Sequence, residues 1–511
     1  EDIEPENVHE VAIVHVNKKQ PARGKTSKRS DHLSKAEAPD IDGDSDSDVE
    51  GDLEGDGESV IASHIDRQIN SEVKGDSGRD TDNDIGNELP GKSRSASRSK
   101  ESATTMKSKT STSRVGKGRA VGKALATATG SELDSLISES AQSVLEQLEQ
   151  DRESINLKVD DYSVPLTHLN KVYWPEFEGH PAVTKRDYLR YLARVSDFAI
   201  PHLKDRLITL VRFPNGIDHG RFYQKHWDAK LPKFVQTAPV FTEHENRDQD
   251  FLVCANLATL IWLGQLADLE LHTSHTRVTA KPDAKNLPED MTGSVEQLEQ
   301  SIGNYPDFLV LDMDPYLYSG KEDQGAEPEL HRKGFEQCVE IAFVLKDTLD
   351  RLKLESFIKT SGKTGLHIYV PIKRNLDYDT VRALSEIICQ SVLKERPSAV
   401  TMDWAVKKRT DKVFLDHNMN ARSKSLASIY SPRVAPAACV STPIDWAELP
   451  NIYPTDFDMR TLPKRLALKG DIWKDILQHK NDMKSIFARQ LMNAEVPAKK
   501  RSGRGSAKQR T

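Results

Sequence analysis

The sequence predicts an α+β domain over roughly residues 161–493 of a 511-residue chain, preceded by a long disordered segment. Three observations carry that prediction. Every Phe, Trp and Tyr lies at or after Tyr162, and the earlier residues, rich in Ser, Gly, Asp and Lys, bury too little apolar area to offset their ordering entropy. Beyond that point, runs with the two-residue period of strands alternate with runs of helical period. Finally, the apolar run DFLVLDMDP, residues 307–315, ends in Asp312 and Asp314, which on a strand share one face while Leu311 and Met313 share the other.

The N-terminal segment, residues 1–160, is charged in two blocks. Residues 40–58 place Asp or Glu at every second position, ten acids without a base, and residues 92–123 carry ten Lys or Arg against the single Glu101. Such blocks read first as solvated tails; the basic one, like the Lys/Arg-rich tail at 494–511, also suits a polyanion. Residues 131–154 place Leu133, Leu136, Ile137, Val144, Leu145 and Leu148 at helical spacing, which predicts a short amphipathic helix that docks on the core or pairs with a partner. Residues 184–200 read as a helix with Thr184 as N-cap, 206–213 as a strand, and 251–269 as a mostly buried helix leading into a short strand at 270–273. A strand at 307–312, a helix at 329–352, strands at 355–360 and 366–371, a helix at 378–394 and a strand at 412–416 follow. That β-α-β-β-α-β order predicts a sheet covered by helices in a split βαβ or RRM-like arrangement.

The four cysteines, Cys254, Cys338, Cys389 and Cys439, lack CxxC spacing and read as buried thiols of a reducing compartment. No apolar run reaches the ~18 residues of a membrane span and no charged-then-apolar leader opens the sequence, so a soluble intracellular protein without a membrane partner is expected.

Two carboxylates on one face repel unless a cation lies between them. Oxygen-rich, doubly acidic sites suit Mg²⁺ or Mn²⁺, and Asp416 in VFLDHN, ending another apolar run, is the candidate third ligand. A DxD pair by itself is more often a turn cap or surface pair. In TSGKTGLHIYVP, residues 360–371, Ser361, Gly362 and Gly365 predict a tight turn where N–H groups, a hydroxyl and Lys363 converge on phosphates. His367 then either donates to a triphosphate oxygen or serves as a hydrogen-bonded structural residue. This is not a Walker A loop, because Phe357 stands where that motif needs its first glycine. RFPNGIDHGRFYQKHW, residues 212–227, interleaves Arg212, Arg221, Lys225 and His226 with Phe213, Phe222, Tyr223 and Trp227, a mixture that stacks bases while neutralising phosphates. Of the adjacent Phe222 and Tyr223, one is expected in the core and one free to stack. Lys171 in NKVYWP and Lys185 in TKRDY add two basic positions, each by itself an ordinary surface lysine.

With these motifs in view, residues 166–487 resemble the polymerase domain of bacterial DNA ligase D, of the archaeo-eukaryotic primase superfamily. LTHLNKVYWP, TKRDYLRY, RFPNGIDHGRFYQKHW, LELHT, FLVLDMDP, TSGKTGLHIYVP, VFLDHNMNARSKS and KGDIWKDIL occur in that family's order. The resemblance implies a primase-polymerase fold, in which an RRM-like catalytic sheet packs against a second helix and sheet lobe. It also implies an enzyme that extends primer 3′-OH ends at DNA breaks or gaps by two-metal nucleotidyl transfer and favours ribonucleotides. Two Mn²⁺ or Mg²⁺ ions would sit on Asp312, Asp314 and Asp416, and an NTP or dNTP on Ser361, Lys363, Gly365, His367, His272, Lys424 and Arg433. DNA would meet Lys171 and Lys185 through a 5′-phosphate, Phe222 and Tyr223 through stacking, and Lys225. The implied partners are a Ku-type end-binding protein and a ligase domain in cis or in trans, and the implied location is the bacterial cytoplasm at the nucleoid.

Two departures stand out. Many members carry a lysine immediately before the second motif's glycine, whereas Thr364 stands here and Lys363 lies one position earlier; Tyr223 replaces the second aromatic of an FF-type pair. A ligase nucleophile needs KxDG, and the nearest string, DIDG at residues 40–43, has no lysine, so no ligase active site is expected in this chain. The alternatives are a primase that starts chains unprimed and a non-catalytic DNA-end-binding module.

Overall fold

The computed structural model describes residues 134–320, 322 and 326–487. Both charged blocks, Leu133 and the basic tail lie outside them. Helix α1 (Glu139–Leu148) is capped by Ser138, whose side chain accepts from the Ala141 N–H. It docks on the core through Ala141, Val144, Leu145 and Leu148 and is shorter than its apolar spacing suggested, with Leu136 exposed. Strands β1 (Ile155–Val159) and β2 (Tyr162–Leu166) then pair antiparallel. Folded chain therefore begins upstream of residue 161. The expected boundary followed the first aromatic, but Leu157, Val159, Val164 and Leu166 fill this hairpin's inner face with aliphatic side chains alone.

Strands β3 (Val172–Trp174) and β4 (Val183–Thr184) lead into α2 (Lys185–Leu203), which starts on a capping box between Thr184 and Asp187. There follow β5 (Arg206–Arg212), β6 (Phe222–Gln224), β7 (Gln236–Thr242), β8 (Arg247–Val253), α3 (Leu257–Gln265) and β9 (Asp268–Arg277). The stretch expected as one helix over 251–269 is thus the end of a strand, a helix and the start of a longer strand. Residues buried on every side carry no distinguishing period. The missed signal was Asn256, whose Oδ1 caps α3 by accepting from the Thr259 N–H at 2.9 Å.

After α4 (Val295–Gln300) come β10 (Phe308–Pro315), α5 (Arg332–Arg351), β11 (Phe357–Thr360), β12 (Leu366–Pro371), α6 (Tyr378–Glu395), β13 (Val400–Thr401), β14 (Val413–Asp416), β15 (Ser425–Ala427), β16 (Pro443–Ile444) and α7 (Leu462–Lys469). The larger sheet has the order β13-β14-β10-β12-β11-β16, and a second sheet the order β15-β9-β5-β6. The four strands β14-β10-β12-β11 are antiparallel throughout. The chain order β10-α5-β11-β12-α6-β14 is the RRM-like order the sequence predicts.

Alternation decides what each face of the sheet does. Leu309, Leu311 and Met313 of β10, with Leu366, Ile368 and Val370 of β12, pack beneath α5 and α6. Phe308, Val310 and Tyr369 point the other way, into a core shared with Leu189, Ile208, Leu210 and Leu271 of α2 and the second sheet. Each fully buried aliphatic side chain contributes about 1.5–3 kcal/mol, so a one-residue slip, which would invert both faces, is strongly disfavoured. Asp312 and Asp314 continue the second face and lie between the sheets.

The opposite end of β10 is held by charge. Asp307, almost wholly buried, takes Arg277 Nη2 at 2.9 Å, Arg206 Nη2 at 3.0 Å and, more distantly, Arg374 Nε at 3.8 Å. Burial pushes the Asp307 carboxyl up, but Arg206, Arg374 and Arg277 outweigh it and hold it below the usual range. Because Arg206 and Arg277 belong to the second sheet and Arg374 follows β12, this knot ties the two sheets together.

Candidate functional site

Strand register sets four side chains abreast across the larger sheet. Lys359 on β11 pairs with His367 on β12, His367 with Asp312 on β10, and Asp312 with Asp416 on β14. Asp314 stands two residues along the same face. His367 Nε2 lies 3.2 Å from Asp312 Oδ1, but without hydrogen-bond alignment, and this oxygen is buried with no hydrogen-bond partner. Burial, then Asp314 and Asp416, pushes the Asp312 carboxyl well up. Burial, Glu327 and Asp416 push Asp314 up to about 6. Asp416 is also raised by burial, against the Asn418 N–H that its Oδ1 accepts at 2.9 Å and the nearby charges of His417 and Lys424. Among the described residues no three His, Cys, Asp or Glu side chains converge into a finished ligand set.

Beside the row, the turn between β11 and β12 packs against β10. Ser361 Oγ accepts from the N–H groups of Lys363 and Gly365, each at 3.1 Å, while Ser361 O accepts from Arg433 Nη1 at 2.6 Å. Both glycines are required by close approach. A Cβ on Gly365 would stand 2.0 Å from the Met313 carbonyl oxygen; Gly362 has φ +78°, and a Cβ there would meet Arg433 Cγ at 2.6 Å.

Two residues that the sequence reasoning passed over organise this pocket. Glu270 on β9 is buried and gathers the cations: its Oε1 accepts from the Val434 N–H at 2.7 Å and lies 3.2 Å from Arg433 Nε and 3.4 Å from Lys363 Nζ, while Oε2 is 3.2 Å from His272 Nε2. Burial raises its pKa, but Arg433, His272 and Lys363 hold it well below the usual value. Lys363, although one position displaced from the family pattern, therefore joins Arg433 at the site. The signal for Glu270 was its place in LELHT, two residues before His272 and hence on the same face. The other residue is Lys359, fully buried in the apolar strand FIKT. Its Nζ is 2.9 Å from His367 Nδ1 and 3.0 Å from Ala427 O on the second sheet, and it contacts Ser441 Oγ closely. Burial and Arg433 push this amine well down from the ordinary lysine value, opposed by Asp312.

The remaining expected residues fall in two groups. Lys171 Nζ donates to Pro214 O at 3.0 Å and Lys185 Nζ to Gln265 O at 2.9 Å. Burial and then the charge of Lys171 lower Lys185 to about 8. Phe222 and Tyr223 are both exposed, at 41% and 58%, so neither is in the core. The expectation of one buried ring fails because β6 is a three-residue edge strand with neither ring covered. Arg212 lies over the Phe222 ring at 4.8 Å and Arg221 over Tyr223 at 5.7 Å, and Lys225 is exposed just beyond β6. The four cysteines are free and buried. Among the described residues no helix is long and apolar enough to cross a membrane.

Sheet order and strand-end carboxylates together define a primase-polymerase type of domain. More specifically, the pattern of the LigD primase-polymerase domain matches residues 184–473, and the chain belongs to that family. It is 26% identical over 319 residues to the bifunctional non-homologous end joining protein LigD of Bacillus subtilis, a match covering 62% of this chain and 44% of that protein. It is 27% identical over 332 residues to the multifunctional non-homologous end joining protein LigD of Pseudomonas aeruginosa, covering 64% and 34%. The chain thus spans under half the length of these two relatives. Among solved structures, the polymerase domain from Mycobacterium tuberculosis ligase D in complex with DNA matches with a TM-score of 0.51 at 26% identity, over 62% of this chain and 99% of that one.

Proposed function

We propose that this domain is an end-joining polymerase: a template-directed nucleotidyltransferase that extends a primer 3′-OH at a DNA break or gap and prefers ribonucleotides. The observation that carries this reading is the register setting His367, Asp312 and Asp416 abreast, with Asp314 on the same face. The buried, unpartnered Asp312 Oδ1 and the raised pKa values of all three carboxyls suit a hard divalent cation. Asp312, Asp314 and Asp416 would hold two Mn²⁺ or Mg²⁺ ions, which supply charge for the triphosphate and activation of the 3′-OH.

The chain's own groups supply the rest. Ser361, Lys363, Arg433 and His367 bind triphosphate oxygens, Lys424 adds positive charge near Asp416, and Glu270 holds Lys363, Arg433 and His272 in place. Phe222 and Tyr223 stack on bases, a gain of about 1–3 kcal/mol per base, while Lys171 and Lys185 take a downstream 5′-phosphate and Lys225 the backbone. A Ku-type protein and a ligase domain, in cis or in trans, complete joining at the bacterial nucleoid.

Primer extension on a 5′-phosphorylated gapped duplex, with Mn²⁺ or Mg²⁺ and either sugar, tests this reading. Extension by the wild type and none by Asp312→Asn with Asp314→Asn is expected. Equal extension by the double variant sinks the catalytic assignment and leaves DNA-end binding. Synthesis on an unprimed template would instead mark a primase.

A further inference from the structure

We propose that Tyr430 and Asp471 are positioning residues for the nucleotide site: Asp471 holds a strained turn at Tyr430, and that turn delivers Arg433, three residues on, to the place where a triphosphate binds. This inference rests on the nucleotidyl-transfer reading above for its consequence, but not for its geometry. It gives a task to KGDIWKDIL, residues 469–477, a motif that the site otherwise leaves unused.

After β15 the chain reverses through residues 428–431, where the Ser431 N–H donates to Ser428 O at 3.1 Å. Tyr430 takes the third position of this turn at φ +66°, a conformation usually left to Gly or Asn. Such an outlier persists only where its surroundings over-determine it. Here every polar group of the buried tyrosine is engaged: its N–H donates to Ser441 O at 2.9 Å, its carbonyl accepts from Tyr191 Oη at 2.7 Å, and its hydroxyl donates to Asp471 Oδ1 at 2.6 Å. Asp471 is fixed in turn. His202 Nε2, near the end of α2, lies 2.7 Å from its Oδ2, and the Trp473 N–H donates to its Oδ1 at 3.0 Å. Burial raises this carboxyl, but His202, Tyr430 and the Trp473 N–H hold it below the usual range, so it acts as an acceptor. Beyond the turn, residues 431–433 run beside 439–441, with the Ser441 N–H on Ser431 O at 2.9 Å and the Arg433 N–H on Cys439 O at 2.8 Å. The Arg433 guanidinium then reaches Ser361 O at 2.6 Å and lies 3.2 Å from Glu270 Oε1. Tyr430 is buried and touches no ligand itself; its effect passes through Arg433.

The test uses the full chain labelled with ¹⁵N-arginine, with the Arg433 side-chain N–H signals assigned by their loss in Arg433→Met. Tyr430→Phe removes the hydroxyl alone. In the wild type these signals are expected to stand apart from those of solvent-exposed arginines, and in Tyr430→Phe to move towards them. For a fluorescent ATP analogue with Mg²⁺, Kd should rise roughly fivefold in Tyr430→Phe and no further when that change is added to Arg433→Met, the non-additivity expected of residues that act through one another. KM for the nucleotide should follow Kd, with a smaller change in kcat. A purely structural role would lower Tm, leave the Arg433 signals in place and weaken ATP binding equally in both backgrounds. Unchanged Arg433 signals, or additive effects on Kd, overturn the proposal. Should Tyr430→Phe not fold, Asp471→Asn carries the same readouts. A wild type that neither binds the nucleotide nor extends a primer, with Arg433 released in Tyr430→Phe, counts against the polymerase reading and leaves this placement of Arg433 standing.

Discussion

Replacing Asp307 with Asn removes the charge at the centre of the arginine knot while nearly preserving its shape. Three guanidinium groups converge on this carboxylate, and Arg206, Arg277 and Arg374 are 6%, 22% and 0% exposed. Removing one partner of a buried ion pair costs about 3–5 kcal/mol, because the remaining charge is left uncompensated. In a folded region of roughly 350 residues the unfolding entropy makes each kcal/mol lower Tm by about 1.4 °C, so Asp307→Asn should melt about 4–7 °C below the wild type in a thermal scan followed by circular dichroism. The pH dependence carries a definite sign. The folded-state pKa of Asp307 is depressed, so its contribution is complete above the unfolded value of about 3.9 and is lost as the pH falls through the folded value. The gap between variant and wild type should therefore persist at pH 7 and close in acid. A Tm difference under about 2 °C at pH 7, or a gap that widens in acid, would refute the view that Asp307 compensates these buried guanidinium charges.

Three further outcomes are expected. Gly365→Ala places a Cβ 2.0 Å from a backbone oxygen of β10; it should cost about 1–3 kcal/mol and slow primer extension, and an unchanged melting curve would show that the turn does not press on β10. Tyr223→Ala, at an exposed ring, should leave stability within about 0.5 kcal/mol yet weaken template binding by about 1–3 kcal/mol in fluorescence anisotropy; equal affinity counts against the stacking role. Lys185 titrates near 8 and is charged only below that, so the preference for a 5′-phosphate over a 5′-hydroxyl end should shrink between pH 7 and 9; a flat preference in competition binding rejects Lys185 as the phosphate ligand.

The larger sheet was legible because its signals are local. Period-two burial in FLVLDMDP and LHIYVP, and the helices between them, follow from side chains that alternate between two unlike faces. Asp312, Asp314, Asp416 and His367 were found because a charge at the end of an apolar strand is conspicuous. Their adjacency was not legible, since it depends on how β12 and β14 register against β10. Lys359 and Glu270 were missed for a related reason: each is a charged residue inside a strand whose partners, His367, Ala427, Arg433 and Lys363, come from other strands or turns. The β1–β2 hairpin escaped notice because aliphatic residues fill it, and the segment around α3 because burial on all sides erases periodicity.

The buried Lys359 amine has a consequence for how the two sheets can move. It hydrogen-bonds to the Ala427 carbonyl of the smaller sheet while standing on the larger one, and at the other end of β10 the Asp307 knot spans the same boundary. Swinging the sheets apart would strand a lysine and several guanidiniums in an apolar gap. The cleft around Asp312 and Glu270 therefore has a rigid floor, and a change in its shape would come from the surface segments around it and not from hinge bending of the two sheets.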